Sequence, residues 1–311
     1  MLSSRHIIDI GDLTADDIML VLDTAESFKE VNERRIKKLP TLRGRTVINL
    51  FLEPSTRTRT SFEIAAKRLS ADAVNFSAST SATVKGESLA DTAATLSAMA
   101  CDLVVVRHKY AGAPRILAEH MDTHVINGGD GMHEHPTQAL LDLFTMRESL
   151  GRLEGLTVGI VGDIAHSRVA GSLVGALRAV GATPVLIAPP TLLPARPDVL
   201  GAEVATSLDS VLGDLDVAYM LRIQMERADG MPFPSLREYS RLFGMNAARL
   251  SKMRPDAIVM HPGPMNRGVE ISADVADGQR AVVLEQVNAG VAVRMAAMYL
   301  LLGGESGGAA A

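Results

Sequence analysis

Residues Ser55-Thr56-Arg57-Thr58-Arg59-Thr60 concentrate hydroxyl and guanidinium groups between an apolar run, Thr46 to Leu52, and a segment with apolar residues at helical spacing, Ser61 to Leu69. That composition is chemistry for an anion. The first N–H groups of a helix lack intrahelical acceptors and stand at the positive end of its dipole. Ser55, Thr56 and Thr58 add hydroxyl donors, and Arg57 offers a planar fork that fits the edge of a phosphate. Such a site after a buried strand lies where parallel sheets hold ligands. A helix cap with solvated arginines is the plainer alternative, but an exposed cap does not call for so many of these groups. No glycine-rich loop of the Walker type is present, which argues against ATP or GTP.

Other candidates follow along the chain. Ser81 to Thr92 is a hydroxyl-rich stretch containing Lys85, with a helix cap near Ser88; alone it reads as an ordinary surface loop. Arg107 ends the apolar run Leu103 to Val106, again at a strand's carboxyl end. In His133-Glu134-His135-Pro136-Thr137-Gln138 two imidazoles flank a carboxylate, as some metal sites do. No third ligand follows at a typical spacing and Pro136 suits a helix's first turn, so no metal is expected. Gly159-Ile160-Val161-Gly162-Asp163 resembles a dinucleotide fingerprint loosely; it lacks the third glycine and the distal acid, which argues against NAD and leaves no cofactor expected. His166-Ser167-Arg168 opens a further helix, and Arg222-Ile223-Gln224 follows a strand, reading alone as exposed polar residues. His261-Pro262-Gly263-Pro264 is a rigid turn whose carbonyls suit an ammonium or amide N–H. Cys101 reads as a small buried hydrophobe rather than a nucleophile.

The elements that must position these groups alternate in type. Strands are expected at 46–52, 73–76, 102–107, 124–127, 157–163, 183–188, 217–220 and 257–260, and helices at 4–38, 61–69, 88–99, 136–149, 167–180 and 286–302. Alternation of this kind implies parallel sheets with crossover helices. The pattern restarts after residue 150, and 311 residues suit two cores better than one. The expected fold is α/β: two doubly wound parallel-sheet domains joined by interdomain helices, one of residues 1–135 with 286–311, the other of 136–285. Residues 229–246 lack periodicity and suit a loop that moves on closure, and 303–311 read as a frayed tail. Apolar residues at 47%, charged residues at 22% and a net charge of −5 fit a globular chain and disfavour a nucleic-acid partner. With no signal-peptide pattern and no run of eighteen apolar residues, no membrane association and a cytoplasmic location are expected.

Ser55-Thr56-Arg57-Thr58-Arg59 is similar to the carbamoyl-phosphate signature of the aspartate/ornithine carbamoyltransferase family, and the other motifs occur in the family's order from Arg5 to Leu302. The resemblance implies a carbamoyl-phosphate site of Ser55, Thr56, Arg57, Thr58, Arg107, His135 and Gln138, with Thr58, Arg107 and His135 on the carbonyl oxygen and Gln138 on the amide. It implies that Ser81 and Lys85 reach in from a neighbouring subunit, which requires an oligomer: a homotrimer with shared active sites, alone or in a higher assembly with dihydroorotase or a regulatory chain. Lys85, Arg168, Arg222, Gln224 and the carbonyls of Gly263 and Pro264 would hold the acceptor amino acid, and Arg227 would pair with Glu53. The family's ornithine branch carries Cys at the position of Thr137 and a His-Cys-Leu-Pro turn at 261–264; some relatives carry Leu at the position of Gly263. Those differences, with two arginines for two carboxylates, imply L-aspartate as acceptor and direct attack of its α-amino group on carbamoyl phosphate, without metal or covalent intermediate. Another acceptor amino acid, ornithine first, is the alternative; an inactive structural partner of dihydroorotase is a reading of a different class.

Overall fold

The computed structural model describes residues 1–77, 88–224 and 234–303. The chain divides into two compact units, Met1–Phe144 with Asn288–Ala311, and Thr145–Val287. In chain order the first carries α1 (Ala15–Glu33), β1 (Thr46–Phe51), α2 (Thr56–Arg68), β2 (Asp72–Ser77), α3 (Leu89–Ala98), β3 (Leu103–His108), α4 (Ala113–Glu119) and β4 (His124–Asp130). Helix α5 (Pro136–Leu150) crosses the boundary. The second unit holds β5 (Thr157–Val161), α6 (Arg168–Ala179), β6 (Thr183–Ile187), β7 (Glu203–Ala205), β8 (Val217–Met220), α7 (Leu236–Phe243), α8 (Ala247–Leu250), β9 (Ile258–Met260) and α9 (Ala273–Ala276). The last helix, α10 (Val283–Leu302), crosses back.

Both sheets are parallel throughout, in the orders β2-β1-β3-β4 and β7-β6-β5-β8-β9. Each begins at an inner strand, extends one way, then returns to extend the other way. The reversal falls between β1 and β3 in the first sheet and between β5 and β8 in the second. Neighbouring loops diverge at such a switch point, which opens a crevice at the strands' carboxyl ends.

Alternate residues build one face of the first core. Ile48 and Leu50 of β1 stand beside Val104 and Val106 of β3, with Val125 of β4 next to Val104. They pack with Ala93 and Leu96 of α3 and with Leu117 of α4, and Cys101 lies in the same cluster. Burial raises the Cys101 thiol pKa, which suits a packing role.

Three sequence expectations need correction. The first helix is not 4–38 but Ala15–Glu33. Thr14 fixes its start: the Thr14 hydroxyl accepts from Asp17 N at 3.1 Å, and the Asp17 carboxylate accepts from Thr14 N at 3.0 Å. Ahead of this cap the chain bridges to β4 at Ile7, whose N–H donates to Val125 O at 2.9 Å and whose carbonyl accepts from Asn127 N at 2.8 Å, and then makes a 3-10 turn over Ile10–Asp12. Residues 229–246 are not all loop, because α7 lies within them. Ser235 accepts from Glu238 N at 3.1 Å to start it, and buried Arg249 donates to the carbonyls of Arg241, Leu242 and Gly244 to end it. Finally, α4, β7, α8 and α9 occupy stretches to which no element was assigned.

Asp17 also accepts from the Ser3 amide at 2.8 Å and the Ser3 hydroxyl at 2.5 Å. Burial alone would raise its pKa, but the hydrogen bonds from Ser3 and Thr14 outweigh it and hold the carboxyl at about 2. A depressed folded value means the stabilisation is whole above the ordinary carboxylate range near pH 4 and is lost as pH falls toward about 2. Asp17→Asn is therefore expected to lower the urea midpoint at pH 7 while flattening the decline between about pH 5 and pH 2. An unchanged acid limb would assign that decline to other groups.

Candidate functional site

The first switch point gathers the anion-binding candidates. Strand β1 ends at Phe51, and Ser55 becomes the N-cap of α2 in extended conformation, at φ −161° and ψ 105°. Thr14, Ser88, Ser167, Ser235 and Asn246 each accept a backbone N–H of the helix they precede; the Ser55 side chain does not. The first turn of α2 carries no acid either. Its leading N–H groups are thus left to an external acceptor, with Thr56 and Arg57 exposed and Ser55 and Thr58 half-buried beside them. These motif residues form the first turn itself, because the helix starts at Thr56 rather than Ser61.

Arg107 lies beside this turn because β3 runs parallel to β1, with Phe51 and Arg107 in register. Its guanidinium donates to Glu53 Oε1 at 2.9 Å and to the Gly128 carbonyl at 3.1 Å, and its side chain is 13% exposed. Glu53 therefore braces Arg107. The pairing of Glu53 with Arg227 expected from sequence cannot be placed, since Arg227 lies outside the described residues, as do Ser81 and Lys85.

From β4 the chain turns tightly into α5. A Cβ at Gly131 (φ +48°) would stand 2.8 Å from Ala111 N. The buried Asp130 carboxylate accepts from Gly112 N, the Asn127 amide and Glu134 N at 2.7–3.1 Å, which pins this turn. His133 stays exposed against Asp130 and Asp9, whereas His135 is 4% exposed and its carbonyl accepts from Gln138 N at 2.9 Å. The two imidazoles thus have different surroundings rather than one common site. Gln138 is half-buried, one turn into α5, and its Nε2 donates to Asp142 Oδ1 at 3.0 Å.

At the second switch point, between β5 and β8, Asp163 organises the loops. It is 1% exposed. One carboxylate oxygen accepts from His166 N at 3.3 Å and lies 2.7 Å from His166 Nδ1; the other accepts from Gln224 N at 3.1 Å. Gln224 Nε2 in turn donates to the His166 carbonyl at 3.1 Å, which turns its Oε1 the other way as an acceptor. Arg168 is the buried first residue of α6, and Arg222 is half-buried in irregular chain after β8, not on a helix. Gly162, at φ +129°, lets this loop form: a Cβ would stand 2.9 Å from Leu221 O and 3.1 Å from the Tyr239 hydroxyl. Burial, reinforced by the charges of Glu270 and Asp163, pushes the Tyr239 phenol far above its ordinary range, so it stays neutral.

The turn after β9 is held from beneath. Gly263 N donates to His261 Nδ1 at 2.8 Å, so the neutral ring carries its proton on Nε2, 3.3 Å from Glu270 Oε1. The same carboxylate oxygen accepts from Asn266 N, and His261 N donates to Gln286 Oε1 at 2.9 Å. His261 and Glu270 are both buried, and between their contacts Gly263 adopts φ +65°. That left-handed conformation favours glycine over the leucine of some relatives.

Sequence reading missed Asp142, Asp163 and the His261–Glu270 pair. Asp142 had a detectable signal, four residues after Gln138 on one helix. The other contacts join segments that only the fold brings together.

The family model described as aspartate/ornithine carbamoyltransferase, carbamoyl-P binding domain, matches residues 5–148, and the Asp/Orn binding domain of the same family matches 154–301. The aspartate carbamoyltransferase catalytic subunit of Syntrophotalea carbinolica is 61% identical over 97% of this chain and 96% of its own length. That of Thermobifida fusca is 61% identical over 96% of each. Among solved structures, the aspartate transcarbamoylase of Trypanosoma cruzi in complex with N-(phosphonacetyl)-L-aspartic acid is 32% identical with a TM-score of 0.87, each chain covered to 96%. The ornithine carbamoyltransferase of Pyrococcus furiosus is 30% identical with a TM-score of 0.86, covering 96% of this chain and 97% of its own. Backbone similarity alone does not separate the two acceptors.

Proposed function

Because the chain belongs to the aspartate/ornithine carbamoyltransferase family, we propose that it transfers the carbamoyl group of carbamoyl phosphate to the α-amino group of L-aspartate. The products are N-carbamoyl-L-aspartate and phosphate, and the reaction serves pyrimidine biosynthesis. The observation that carries this reading is the chemistry at the two switch points. One presents an uncapped helix start with Arg57 and Arg107; the other presents Arg168 at the start of α6, with Arg222 and Gln224 on the loop that Asp163 ties down. The first set suits an acyl phosphate and the second an amino acid with two carboxylates. A cationic ornithine side chain would need acidic partners instead.

In this reading Ser55, Thr56, Arg57 and Arg107 hold the phosphate, joined by Ser81 and Lys85 of a neighbouring subunit in a homotrimer. Gln138 receives the carbamoyl NH2. Lys85, Arg168 and Arg222 bind the aspartate carboxylates, while Gln224 and the carbonyls of Gly263 and Pro264 orient the amine. The uncharged amine attacks the carbonyl carbon, forming the C–N bond and an oxyanion stabilised by Thr58, Arg107 and His135. Collapse breaks the C–O bond to phosphate, which leaves with the amine proton. Preorganised donors of this kind lower the barrier by about 3–4 kcal/mol each. Holding both substrates in reacting geometry contributes up to about 7–11 kcal/mol in favourable cases. Among the described residues no helix is long and apolar enough to cross a membrane, and we place the enzyme in the cytoplasm.

The test is phosphate release from carbamoyl phosphate with aspartate or with ornithine. Turnover with aspartate is expected; turnover only with ornithine would overturn the acceptor, and none from a folded oligomer would overturn the activity. Asp163→Asn is expected to raise KM for aspartate about tenfold or more, because the amide keeps one acceptor oxygen where the carboxylate has two and sets its NH2 against either Gln224 N or His166. KM for carbamoyl phosphate should stay within twofold, and an equal rise in both would refute a role confined to the acceptor.

A further inference from the structure

Gln138 raises a question of orientation that the proposed reaction leaves open. A glutamine amide presents a carbonyl on one side and NH2 on the other, and a half-turn about its last bond exchanges them. A carbamoyl NH2 is a donor, so only the carbonyl orientation of Gln138 accepts from it. The opposite orientation sets donor against donor.

Resting on the reading of Gln138 as the contact for the carbamoyl amide, we propose that Asp142 is a positioning residue that locks the Gln138 amide, and that this lock makes the site select a carbamoyl group over a methyl-bearing acyl group. Gln138 and Asp142 are one turn apart on α5, and Nε2 donates to Oδ1 at 3.0 Å. An ionised carboxylate can only accept, so it takes the NH2 side of the amide and turns Oε1 away from itself. Asp142 is fully buried, which limits competition from water for that bond.

The carboxylate has a built counter-charge. Arg294 of α10 is 4% exposed and held in one pose: Nη1 donates to Ser61 Oγ at 2.8 Å and to the Gly290 carbonyl at 3.1 Å, and the guanidinium lies 4.9 Å from the centre of the Phe62 ring. Gly290 makes the room, since a Cβ there would stand 2.6 Å from Nη1. Burial pushes the Arg294 pKa down to about 10; the charge of Asp142 supports the cation and that of Arg107 opposes it. Arg294 is therefore still protonated at neutral pH. Ser61 and Phe62 belong to α2, the helix whose start is the anion site, so Arg294 fastens α10 to the phosphate-binding element while its charge acts on Asp142.

The experiment compares kcat/KM for carbamoyl phosphate and for acetyl phosphate, which carries CH3 where the carbamoyl group carries NH2, both with saturating aspartate and full-length protein. The inhibition constant of inorganic phosphate is measured alongside. Asp142→Asn puts a second amide opposite Gln138 that can donate as well as accept. It is expected to cut the carbamoyl-over-acetyl preference about tenfold or more while phosphate inhibition stays within twofold. If the uncompensated charge of Arg294 unfolds that variant, Asp142→Asn with Arg294→Met removes both charges, and the same loss of preference is expected. A preference kept within twofold in a folded variant would overturn the inference. So would equal loss of both activities together with phosphate inhibition, or unfolding of both variants, since each assigns Asp142 to the fold alone. Wild-type protein that releases no phosphate from carbamoyl phosphate and aspartate would instead overturn the proposed function, a result the variants cannot mimic.

Discussion

Arg57→Ala is expected to lower kcat about 10³-fold while leaving the thermal midpoint within about 2 °C of wild type. The two halves of that expectation come from different features of the same residue. Arg57 sits in the first turn of α2, exposed, where alanine is the better helix former. Removing it opens no cavity. Its proposed partner is the departing phosphate, whose charge grows as the C–O bond breaks, so the loss should fall on the transition state and appear in kcat more than in KM. Arg107→Ala is a less clean experiment, because it also leaves Glu53, only 19% exposed, without the guanidinium that neutralises it. An Arg57→Ala enzyme within tenfold of wild type would show that the anion is held elsewhere and would remove the central support for the carbamoyl-phosphate site.

How far the fold was legible depended on which residues were buried on both faces. Leu103 to Val106, Val158 to Val161 and Val217 to Met220 are runs without a charged or strongly polar residue because parallel strands are covered on both sides, and each lies in a strand. Helix α7 is marked in the sequence after all, since Ser235 and Glu238 have capping-box spacing, with Leu236, Tyr239 and Phe243 at helical intervals behind them. Helix α4, only seven residues from Ala113 to Glu119 with Pro114 at its start, is too short for periodicity to stand out.

The candidate site divides in the same way. The placement of Ser55, Arg107, His135 and Arg168 at strand ends and helix starts was legible, because the apolar runs and helical spacing beside them mark those boundaries. The residues that restrain them were not. Glu53 meets Arg107 only through the β1–β3 register, 54 positions apart in sequence. Asp163 looks like the end of a strand until β8 brings Gln224 beside it. Such carboxylates are read from three-dimensional pairing, because alone their sequence signature is that of any aspartate or glutamate after a strand.

The largest effect in the opposite direction should come from mixing two inactive proteins. If Ser81 and Lys85 serve the neighbouring subunit, Arg57→Ala and Lys85→Ala each disable every site of their own homotrimer, but by different routes. Dissociated and reassembled together at equal amounts, the two chains form hybrid trimers in which some sites take Arg57 from one chain and Lys85 from the next. A cyclic interface repeats a single contact around the ring, so random mixing leaves about one site in four with both side chains intact. Activity should therefore rise from about a thousandth of wild type to roughly a quarter of it. No new residue is introduced and neither parent can do this alone. Were every site built within one chain, no hybrid could contain an intact site and the mixture would stay as inactive as its parents. A recovery near a quarter thus measures the sharing of sites directly, while recovery from only one order of assembly or at unequal ratios would follow the same count of neighbouring pairs. Hybrids that assemble yet remain inactive would confine Lys85 to its own chain and remove the reason for expecting an obligatory oligomer.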